Sequence, residues 1–286
     1  MLTQEQLASI ESARQAAGGF LPADAVTKFV DGGMPIGQLM LDLIPLAKTF
    51  AIPPISNFFV GVVALGSSGS LYFGANYEFP GHALTFSIHG EQAATVQALS
   101  FGERGIEMLA ISAAPCGYCR QFLNELTTAS TLRIILPNTP ATPLTSLLPA
   151  AFGPADLGVT AGLMSPQAHG MTLDSSADDV ANAALAAANA SYAPYSASFA
   201  GVALKTSDGR IFAGSVAENA AFNPSMSPLE AAIVRLVISG GKRYDAIVDA
   251  VLVEVPNAKA SQAGVTAEIL ATITSVPLRV LHGVMP

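Results

Sequence analysis

The chain has 286 residues, of which 51% are hydrophobic and 12% are charged. This length favours two domains, and the composition is that of a globular protein and excludes a mainly disordered one. The formal charge of -8 at pH 7, from 21 acidic and 13 basic residues, has the wrong sign for a protein that neutralises phosphates. A long polynucleotide is therefore not the expected ligand.

No segment of the sequence has the pattern of a membrane span or of an export signal. Glu5 and Glu11 stand where a secretory signal would carry basic residues followed by an apolar run. The most apolar early stretch, residues 36–55, is interrupted by Asp42 and Pro45, so it falls short of roughly 18 uninterrupted apolar residues. We therefore expect no membrane segment and a cytoplasmic location.

The first part of the chain, residues 1–50, is predicted to be a helical segment. Thr3 and Gln6 have the spacing of a capping box at the start of a helix. A second helical pattern runs over residues 34–50, just before a pair of prolines. We expect this segment to precede the first folded domain.

Short apolar runs broken by glycine follow, and they indicate an α/β domain over residues 51–165. The runs FFVGVVAL and LYFGANYEF flank the turn sequence SSGS, which predicts two antiparallel strands. Helical periodicity returns in GEQAATVQALS, EMLAISAA predicts a strand, and PCGYCRQFLNEL predicts a turn that leads into a helix. A stretch rich in Pro and Gly marks the junction with a second domain, residues 166–286.

The second domain repeats the first at a fixed offset. A shift of 140 residues without gaps aligns identical residues, among them Pro54 with Pro194, Ser56 with Ser196, Phe59 with Phe199, Gly61 with Gly201, Gly74 with Gly214 and Glu78 with Glu218. Such internal similarity indicates a duplication. The sequence therefore predicts two copies of one α/β fold after the helical segment.

Four residues of the first domain form a candidate zinc site. His89, Cys116 and Cys119 would supply three ligands to a tetrahedral Zn²⁺, and the fourth position would hold water, as in catalytic zinc sites. Glu91 completes the patterns H-x-E and P-C-x-x-C, which together are the signature of zinc nucleobase deaminases. Both patterns fall at predicted helix starts, where thiolates are stabilised. Arg120 is predicted to donate to a thiolate and to moderate the charge at zinc.

Other interpretations of these residues stay open. The pair Cys116 and Cys119 alone would also fit a cytosolic redox motif. His82, His169 and His282 are alternative third ligands, although none of them is followed two residues later by a glutamate. The zinc interpretation is favoured because it uses the cysteines, an upstream histidine and a neighbouring glutamate together.

The sequence resembles the long, duplicated cytidine deaminases, the homodimeric class of enteric bacteria and plants. The resemblance runs from about Ile44 to the C-terminus and rests on PISNFFVG, FGANYEF, PCGYCRQFLNEL, AFGPADL and AENAAFNP in that order. It implies a three-layer αβα fold present twice, with one zinc ion per chain. It also implies a homodimer with composite active sites, in which Phe152 and Phe222 help to close the pocket, in part from the partner subunit.

The same resemblance implies roles for residues that would contact the nucleoside. Phe58 would stack on the pyrimidine, while Asn76 and Glu78 would hold the ribose hydroxyls. The backbone of Gly90, which stands where the family usually has alanine, would face the base. Glu91 would be the proton shuttle.

The second copy is predicted to have lost the chemistry. With a one-residue shift, the counterparts of His89, Cys116 and Cys119 are Pro228, Asn257 and Ala260. Glu91 aligns with Glu230, but a capping box with Ser227 is a sufficient structural reason for that glutamate. Glu218, which aligns with Glu78, is assigned to the contact between subunits.

The sequence therefore predicts an enzyme that deaminates cytidine and 2'-deoxycytidine to the uridines, with release of ammonia, in pyrimidine salvage. Zinc would lower the pKa of its water towards roughly 7, and Glu91 would move protons to the ring nitrogen and the departing amine. A deaminase of cytosine or adenine in RNA or single-stranded DNA is one alternative, although it would need a basic channel. A non-catalytic, zinc-stabilised scaffold is another, and it would leave Glu91 without a role.

Overall fold

A computed structural model describes residues 2–173 and 177–286. Their contacts divide the chain into a first unit, up to Glu78 together with Ser87–Gly153, and a second unit, Phe79–Phe86 together with Pro154–Pro286. Each unit has a sheet of its own. The limits 1–50, 51–165 and 166–286 inferred from the sequence stay predictions.

The first unit contains a mixed sheet and six helices within the described residues. Its elements are α1 (Gln4–Ala16), α2 (Ala23–Asp31), α3 (Ile36–Lys48), β1 (Gly61–Gly66), β2 (Leu71–Ala75), α4 (Gly90–Ser100), β3 (Ile106–Ile111), α5 (Gly117–Leu123), β4 (Arg133–Ile135), β5 (Thr142–Pro143) and α6 (Leu144–Leu147). The strand order is β2-β1-β3-β4-β5; β3 and β4 run parallel, and the other neighbours run antiparallel. The capping box of Thr3 and Gln6 is confirmed, whereas α2 has no counterpart among the predicted elements.

The second unit repeats this arrangement. Its elements are α7 (Asp179–Asn189), β6 (Ala200–Thr206), β7 (Ile211–Ser215), α8 (Pro228–Val234), β8 (Ile247–Glu254), α9 (Ala263–Ile273) and β9 (Leu278–His282). The strand order is β7-β6-β8-β9, and β8 and β9 run parallel. These orders and directions match those of β2-β1-β3-β4, which confirms the predicted duplication.

Helices pack on both faces of the first sheet, and glycines allow their close approach. A Cβ on Gly61 would lie 2.7 Å from a backbone oxygen of α3, and one on Gly74 would lie 2.2 Å from a backbone oxygen of α4. Gly74 pairs with Val62, the neighbour of Gly61. Because successive residues of a strand face opposite sides, α3 and α4 lie on opposite faces. The first unit is therefore a three-layer structure that includes α3.

The same contacts recur in the second unit. A Cβ on Gly201 would lie 2.3 Å from a backbone nitrogen of α7, and one on Gly214 would lie 2.2 Å from a backbone nitrogen of α8. Gly214 pairs with Val202, so α7 and α8 also lie on opposite faces of their sheet. The predicted fold, an αβα structure present twice, is confirmed.

Buried apolar side chains fill the space between sheet and helices in each unit. Val62, Phe73 and Leu109 of the first sheet are fully buried, and so are Val251 and Val253 of the second sheet. Burial of such side chains is the main favourable contribution to folding. Within residues 2–173 and 177–286, the helices are too short or too polar for any of them to cross a membrane.

Candidate active site

The start of α4 carries His89 and Glu91. His89 is the N-cap residue, and its backbone N–H donates to Gln92 Oε1 at 3.1 Å. Just before it, Tyr77 and Ile88 exchange two backbone hydrogen bonds of 2.9 Å, which fix the chain entering the helix. Glu91 lies in the first turn and is buried. The expectation that His89 and Glu91 stand at a helix start is confirmed.

The start of α5 carries the two cysteines. Cys116 is the N-cap residue, and its Sγ accepts the N–H of Cys119 at 3.4 Å. Arg120 donates to the carbonyl oxygens of Pro115 and Leu147, both at 2.9 Å. The predicted contact of Arg120 with a thiolate is therefore wrong. Its guanidinium instead stabilises the loop that precedes the helix.

The three predicted ligands converge on one point. Nδ1 of His89 lies 3.5 Å from Cys116 Sγ and 3.3 Å from Cys119 Sγ, and the two sulfurs are 3.6 Å apart. A tetrahedral Zn²⁺ with bonds of about 2.3 Å to sulfur and 2.0 Å to nitrogen needs separations of roughly 3.5 to 3.8 Å. These residues therefore fit a zinc ion. They are the one such group found among the described His, Cys, Asp and Glu residues.

The alternative histidines are engaged elsewhere or lie outside this group. His82 Nε2 is 3.3 Å from an oxygen of Glu268, and the ring of His169 stacks on Phe199 with centroids 3.5 Å apart. His282 ends β9. In the part of the chain that the structure describes, none of the three joins a cluster of metal-ligating residues.

The two thiols are hydrogen-bonded to each other, and their pKa values shift in opposite directions. The hydrogen bond between them, assisted by His89, lowers the pKa of Cys116 to about 3. The same bond to Cys116, together with burial, raises the pKa of Cys119. The pair therefore titrates as a unit, with one thiolate already favoured. A divalent cation bound by both sulfurs would hold both as thiolates.

Glu91 lies beside the ligands without being one of the converging three. It is 4% exposed, and burial raises the pKa of its carboxyl, although hydrogen bonds to the backbone and to Cys119 oppose this. A buried carboxyl with a raised pKa, next to a metal centre, is typical of a general acid and base. The site therefore combines a metal-binding triad with a group that can exchange protons.

Known proteins are similar to the chain over most of its length. Two matches to the cytidine and deoxycytidylate deaminase zinc-binding region cover residues 36–134 and 144–267. The cytidine deaminase of Aeromonas salmonicida is 47% identical over 259 residues, which cover 91% of this chain and 88% of the relative. The chain belongs to the cytidine deaminase family. The family's enzyme from Vibrio cholerae serotype O1 is 45% identical over 250 residues, with 87% and 84% covered. A solved cytidine deaminase from Mycobacterium tuberculosis, 31% identical, covers 40% of this chain and 95% of its own, with a TM-score of 0.37.

Asn76, directly after β2, contacts the segment before β1 that carries Phe58. Asn76 Oδ1 accepts the N–H of Val60 at 2.9 Å, and Asn76 Nδ2 donates to the carbonyl of Phe58 at 2.9 Å. The side chain of Phe58 is 59% exposed. The amide of Asn76 therefore fixes the backbone that presents the aromatic ring.

Glu78 stabilises the turn that precedes Phe58. Its carboxylate accepts from Ile55 N at 2.8 Å, Ser56 N at 2.9 Å and Ser56 Oγ at 2.5 Å. Burial raises the pKa of Glu78, but these hydrogen bonds outweigh it and leave the pKa below its ordinary value. Ser56 is not among the predicted site residues. Its identity with Ser196 in the repeat was the signal that pointed to it.

Gly90 opens α4 where the backbone approaches the sheet. A Cβ there would lie 2.8 Å from Val62 Cγ2 and 3.1 Å from Val60 Cγ1. The two valines therefore occupy the space that a side chain would need. This packing leaves little room for a side chain at position 90.

Phe152 and Phe222 lie in different units. Phe152 is near the end of the first unit with 46% of its side chain exposed, and Gln121 and Asn124 bind its carbonyl oxygen. Phe222 is in the second unit, 65% exposed, with a positive φ of 63°. Its ring centroid is 6.2 Å from that of Tyr195. A place for both rings in one pocket stays a prediction.

The capping box predicted at the start of α8 is confirmed. Ser227 N donates to Glu230 Oε2 at 2.7 Å, Glu230 N donates to Ser227 Oγ at 3.3 Å, and Pro228 is the first helical residue. The glutamate therefore has a complete structural role in the second unit.

The counterparts assigned to the start of α4 need a correction. The bridge between Ala217 and Met226 closes a connection two residues shorter than the one between Tyr77 and Ile88. By helix position, His89, Glu91 and Gln92 correspond to Ser227, Leu229 and Glu230. The matches of His89 with Pro228 and of Glu91 with Glu230 are therefore wrong, because they allow a shift of one residue where the shorter connection requires two.

Glu218 acts within its own unit. Its carboxylate accepts from Tyr195 N at 2.9 Å, from Ser196 N at 3.2 Å and from the hydroxyl of Ser196. These are the same three kinds of donor that bind Glu78. Glu218 therefore has a structural role in its own turn, and its assignment to a subunit contact stays a prediction.

Proposed function

We propose that this protein deaminates cytidine and 2'-deoxycytidine to uridine and 2'-deoxyuridine, with zinc as cofactor and ammonia as the second product. The observation that carries the proposal is the buried Glu91 beside the converging His89, Cys116 and Cys119. When bound there, zinc supplies the Lewis acidity that makes water a nucleophile near neutral pH. The reaction serves pyrimidine salvage, because it returns a nucleoside to the uridine pool.

Glu91 moves the protons of the reaction. Its raised pKa allows it to take a proton from the attacking water and to deliver one to ring nitrogen 3 of the base. The same carboxyl then takes the second proton of that water from the added hydroxyl and delivers it to the departing amine, so water enters and ammonia leaves. Its place in the first turn of α4 keeps it against the ligand Cys119 throughout.

The remaining site residues bind the nucleoside. The exposed face of Phe58 stacks on the pyrimidine, and Asn76 and Glu78 hold the ribose hydroxyls at the segment that they also stabilise. The contacts to the base and the closure of the pocket come from Gly90, Phe152 and Phe222.

The active form is a homodimer with composite active sites, and it works in the cytoplasm. Ile55, Phe58 and Phe59 are exposed apolar side chains close together in the chain, which supports a contact with a partner subunit. Thiolate ligands such as Cys116 and Cys119 persist in a reducing compartment. Sedimentation of the active enzyme as a monomer would contradict the dimer.

Loss of ultraviolet absorbance on addition of cytidine to the purified protein tests the reaction. Glu91→Gln should lower kcat by about 10⁴-fold and keep its zinc, because Glu91 transfers protons and is not assigned to coordination. Glu230→Gln is the matched control, a first-turn glutamate of α8 that should keep full turnover. Turnover of a single-stranded oligonucleotide but not of cytidine would support the nucleic-acid deaminase, and bound zinc with no turnover would support the scaffold.

A further inference from the structure

Helix α5 connects the predicted zinc ligands to Phe152. Cys116 and Cys119 stand at its first turn, and Gln121 and Asn124 follow at its C-terminal end. Gln121 Nε2 donates to the Phe152 carbonyl at 2.8 Å, and Asn124 Nδ2 donates to the same oxygen at 3.1 Å. A carbonyl oxygen has two lone pairs, so these two donors fill its capacity.

We propose that Gln121 and Asn124 are positioning residues, which fix the ring of Phe152 at a set distance from the zinc ligands. The inference rests on the proposed function, because it gives Phe152 a place in the nucleoside pocket. It adds residues to which the sequence patterns assign no role. Their action is indirect, since both side chains bind the backbone of Phe152 rather than the substrate.

The surroundings of Phe152 show why such fixation is needed. Phe152 is 46% exposed, so burial holds the residue only in part. Ala150, two residues earlier, has a positive φ of 52°, an uncommon backbone conformation for alanine. A Cβ on Gly153 would lie 2.9 Å from Asn124 Nδ2, so the following residue packs directly against this amide. The two hydrogen bonds therefore act on a short segment that is partly exposed and contains an uncommon backbone conformation.

A third contact extends the same attachment towards the ligands. Arg120, directly after Cys119, donates to the carbonyls of Pro115 and Leu147. One helix thus binds the loop before the cysteines, the end of α6 and the carbonyl of Phe152. Since α5 also carries the thiols, these hydrogen bonds attach the segment up to Phe152 to the helix that carries the predicted ligands.

Steady-state kinetics on cytidine test the proposal. Gln121→Ala and Asn124→Ala should each raise KM about fivefold, with zinc content retained and kcat within about twofold, because each removes one hydrogen bond from a positioning contact. Gln121→Glu keeps the size of the side chain but turns an acceptor towards the carbonyl, so its KM should rise at least as much. Wild-type KM for Gln121→Glu would overturn the proposal.

A double-mutant comparison separates positioning from general stability. In a Phe152→Ala background, Gln121→Ala should raise KM no further, because the ring through which it acts is gone. An additive rise in that background would overturn the proposal. Asn189→Ala is the matched control, since Asn189 binds both backbone groups of Met171 in the second unit and should leave KM unchanged.

A second measurement is independent of turnover. The chain contains no tryptophan, so Phe152→Trp creates a single fluorescent reporter at this position. Adding Gln121→Ala and Asn124→Ala together should lower its fluorescence anisotropy, whereas adding Asn189→Ala should not. Unchanged anisotropy in the triple variant would overturn the proposal. Lowered anisotropy in an enzyme that does not act on cytidine would keep the positioning role and refute the proposed function.

Discussion

The two units share a fold and differ in the few side chains that carry chemistry. Gly74 and Gly214 accept the backbone of a helix at the same sheet position, and the strands pair in the same register around them. At the next helix start, His89 occupies the N-cap of α4 and Ser227 that of α8. In both units a capped helix packs closely on the sheet, whereas among the described residues the metal ligands occur in the first unit. The fold therefore does not depend on the ligands.

Glu78 and Glu218 show that a residue can be identical in the two units for a structural reason. Glu218 accepts hydrogen bonds from three donors equivalent to those that bind Glu78, although its unit has no metal-ligating group among the described residues. Stabilisation of the turn is therefore a sufficient reason for this carboxylate in both units. Any contact of Glu78 with a ribose is an addition to that structural role.

The largest expected effect comes from removing a ligand of the first unit. Cys119→Ser should lose most of its zinc and at least about 10³-fold in activity, because a site with three protein ligands has no spare donor. Ser261→Ala, at the start of α9, should change neither. Metal analysis of the intact chain should give one zinc per chain, and a value of two would mean that the second unit also binds metal.

The matched glycines test whether the fold can be perturbed separately from the chemistry. Gly74→Ala and Gly214→Ala should each lower the free energy of unfolding by more than about 2 kcal/mol, since the added Cβ would meet helix backbone. Gly74→Ala should also weaken zinc binding, because the displaced α4 carries His89. Chemical denaturation and zinc titration with a chelator measure the two effects. Equal zinc affinity in both variants would contradict the link between α4 and the site.

The segment before the first strand of each sheet is held differently in the two units, at Asn76 and at its counterpart Val216. In the second unit, Val216 stands at this position and its N–H donates to Ala200 O at 3.1 Å. In the first unit, the side chain of Asn76 binds Val60 and Phe58 instead. Asn76→Ala should therefore raise KM for cytidine by about tenfold or more and retain zinc, since polar groups on both sides of a lost contact remain unpaired.

The choice of substrate sharpens this prediction. A contact with the ribose makes the loss larger on cytidine than on free cytosine, because cytosine has no sugar to bind. Equal losses would restrict Asn76 to holding the backbone of Phe58. Kinetics on both substrates, with Val216→Ala as the control in the second unit, distinguish the two outcomes.

Local sequence patterns predicted most of the fold and the metal triad. The strands β1, β2 and β3 and the helices α4 and α5 follow from the pattern of apolar residues, and the ligands follow from the spacing of Cys116 and Cys119 with an upstream His-x-Glu. The helix α2 begins after Pro22 without a side-chain cap, so it lacks the signal by which a helix start is recognised. Contacts between distant segments were equally inaccessible: Gln121 and Phe152 are 31 residues apart, and nothing local indicates their hydrogen bond.

The smallest expected effect concerns Glu78 and Glu218, which should differ in their effect on substrate binding. Glu78→Gln and Glu218→Gln should each lower the free energy of unfolding at pH 7 by about 2 kcal/mol, because hydrogen bonds to a charged acceptor become bonds to a neutral one. The lowered pKa of Glu78 means that its carboxylate stabilises the fold above the ordinary value of 4.5 and loses this effect as the pH falls through the folded value. The difference between wild type and Glu78→Gln should therefore shrink below about pH 4.5.

Urea denaturation of wild type and both variants at a series of pH values measures this difference. Zinc is released from all three proteins at acidic pH, so comparison at each pH isolates the carboxylate. Glu78→Gln should also raise KM for cytidine, whereas Glu218→Gln should leave KM unchanged because its unit carries no predicted ligand. A rise of KM in Glu218→Gln equal to that in Glu78→Gln would show that the turn of the second unit also serves the nucleoside site. The second unit would then contribute to substrate binding as well as to the fold, although the start of α8 carries no predicted ligand.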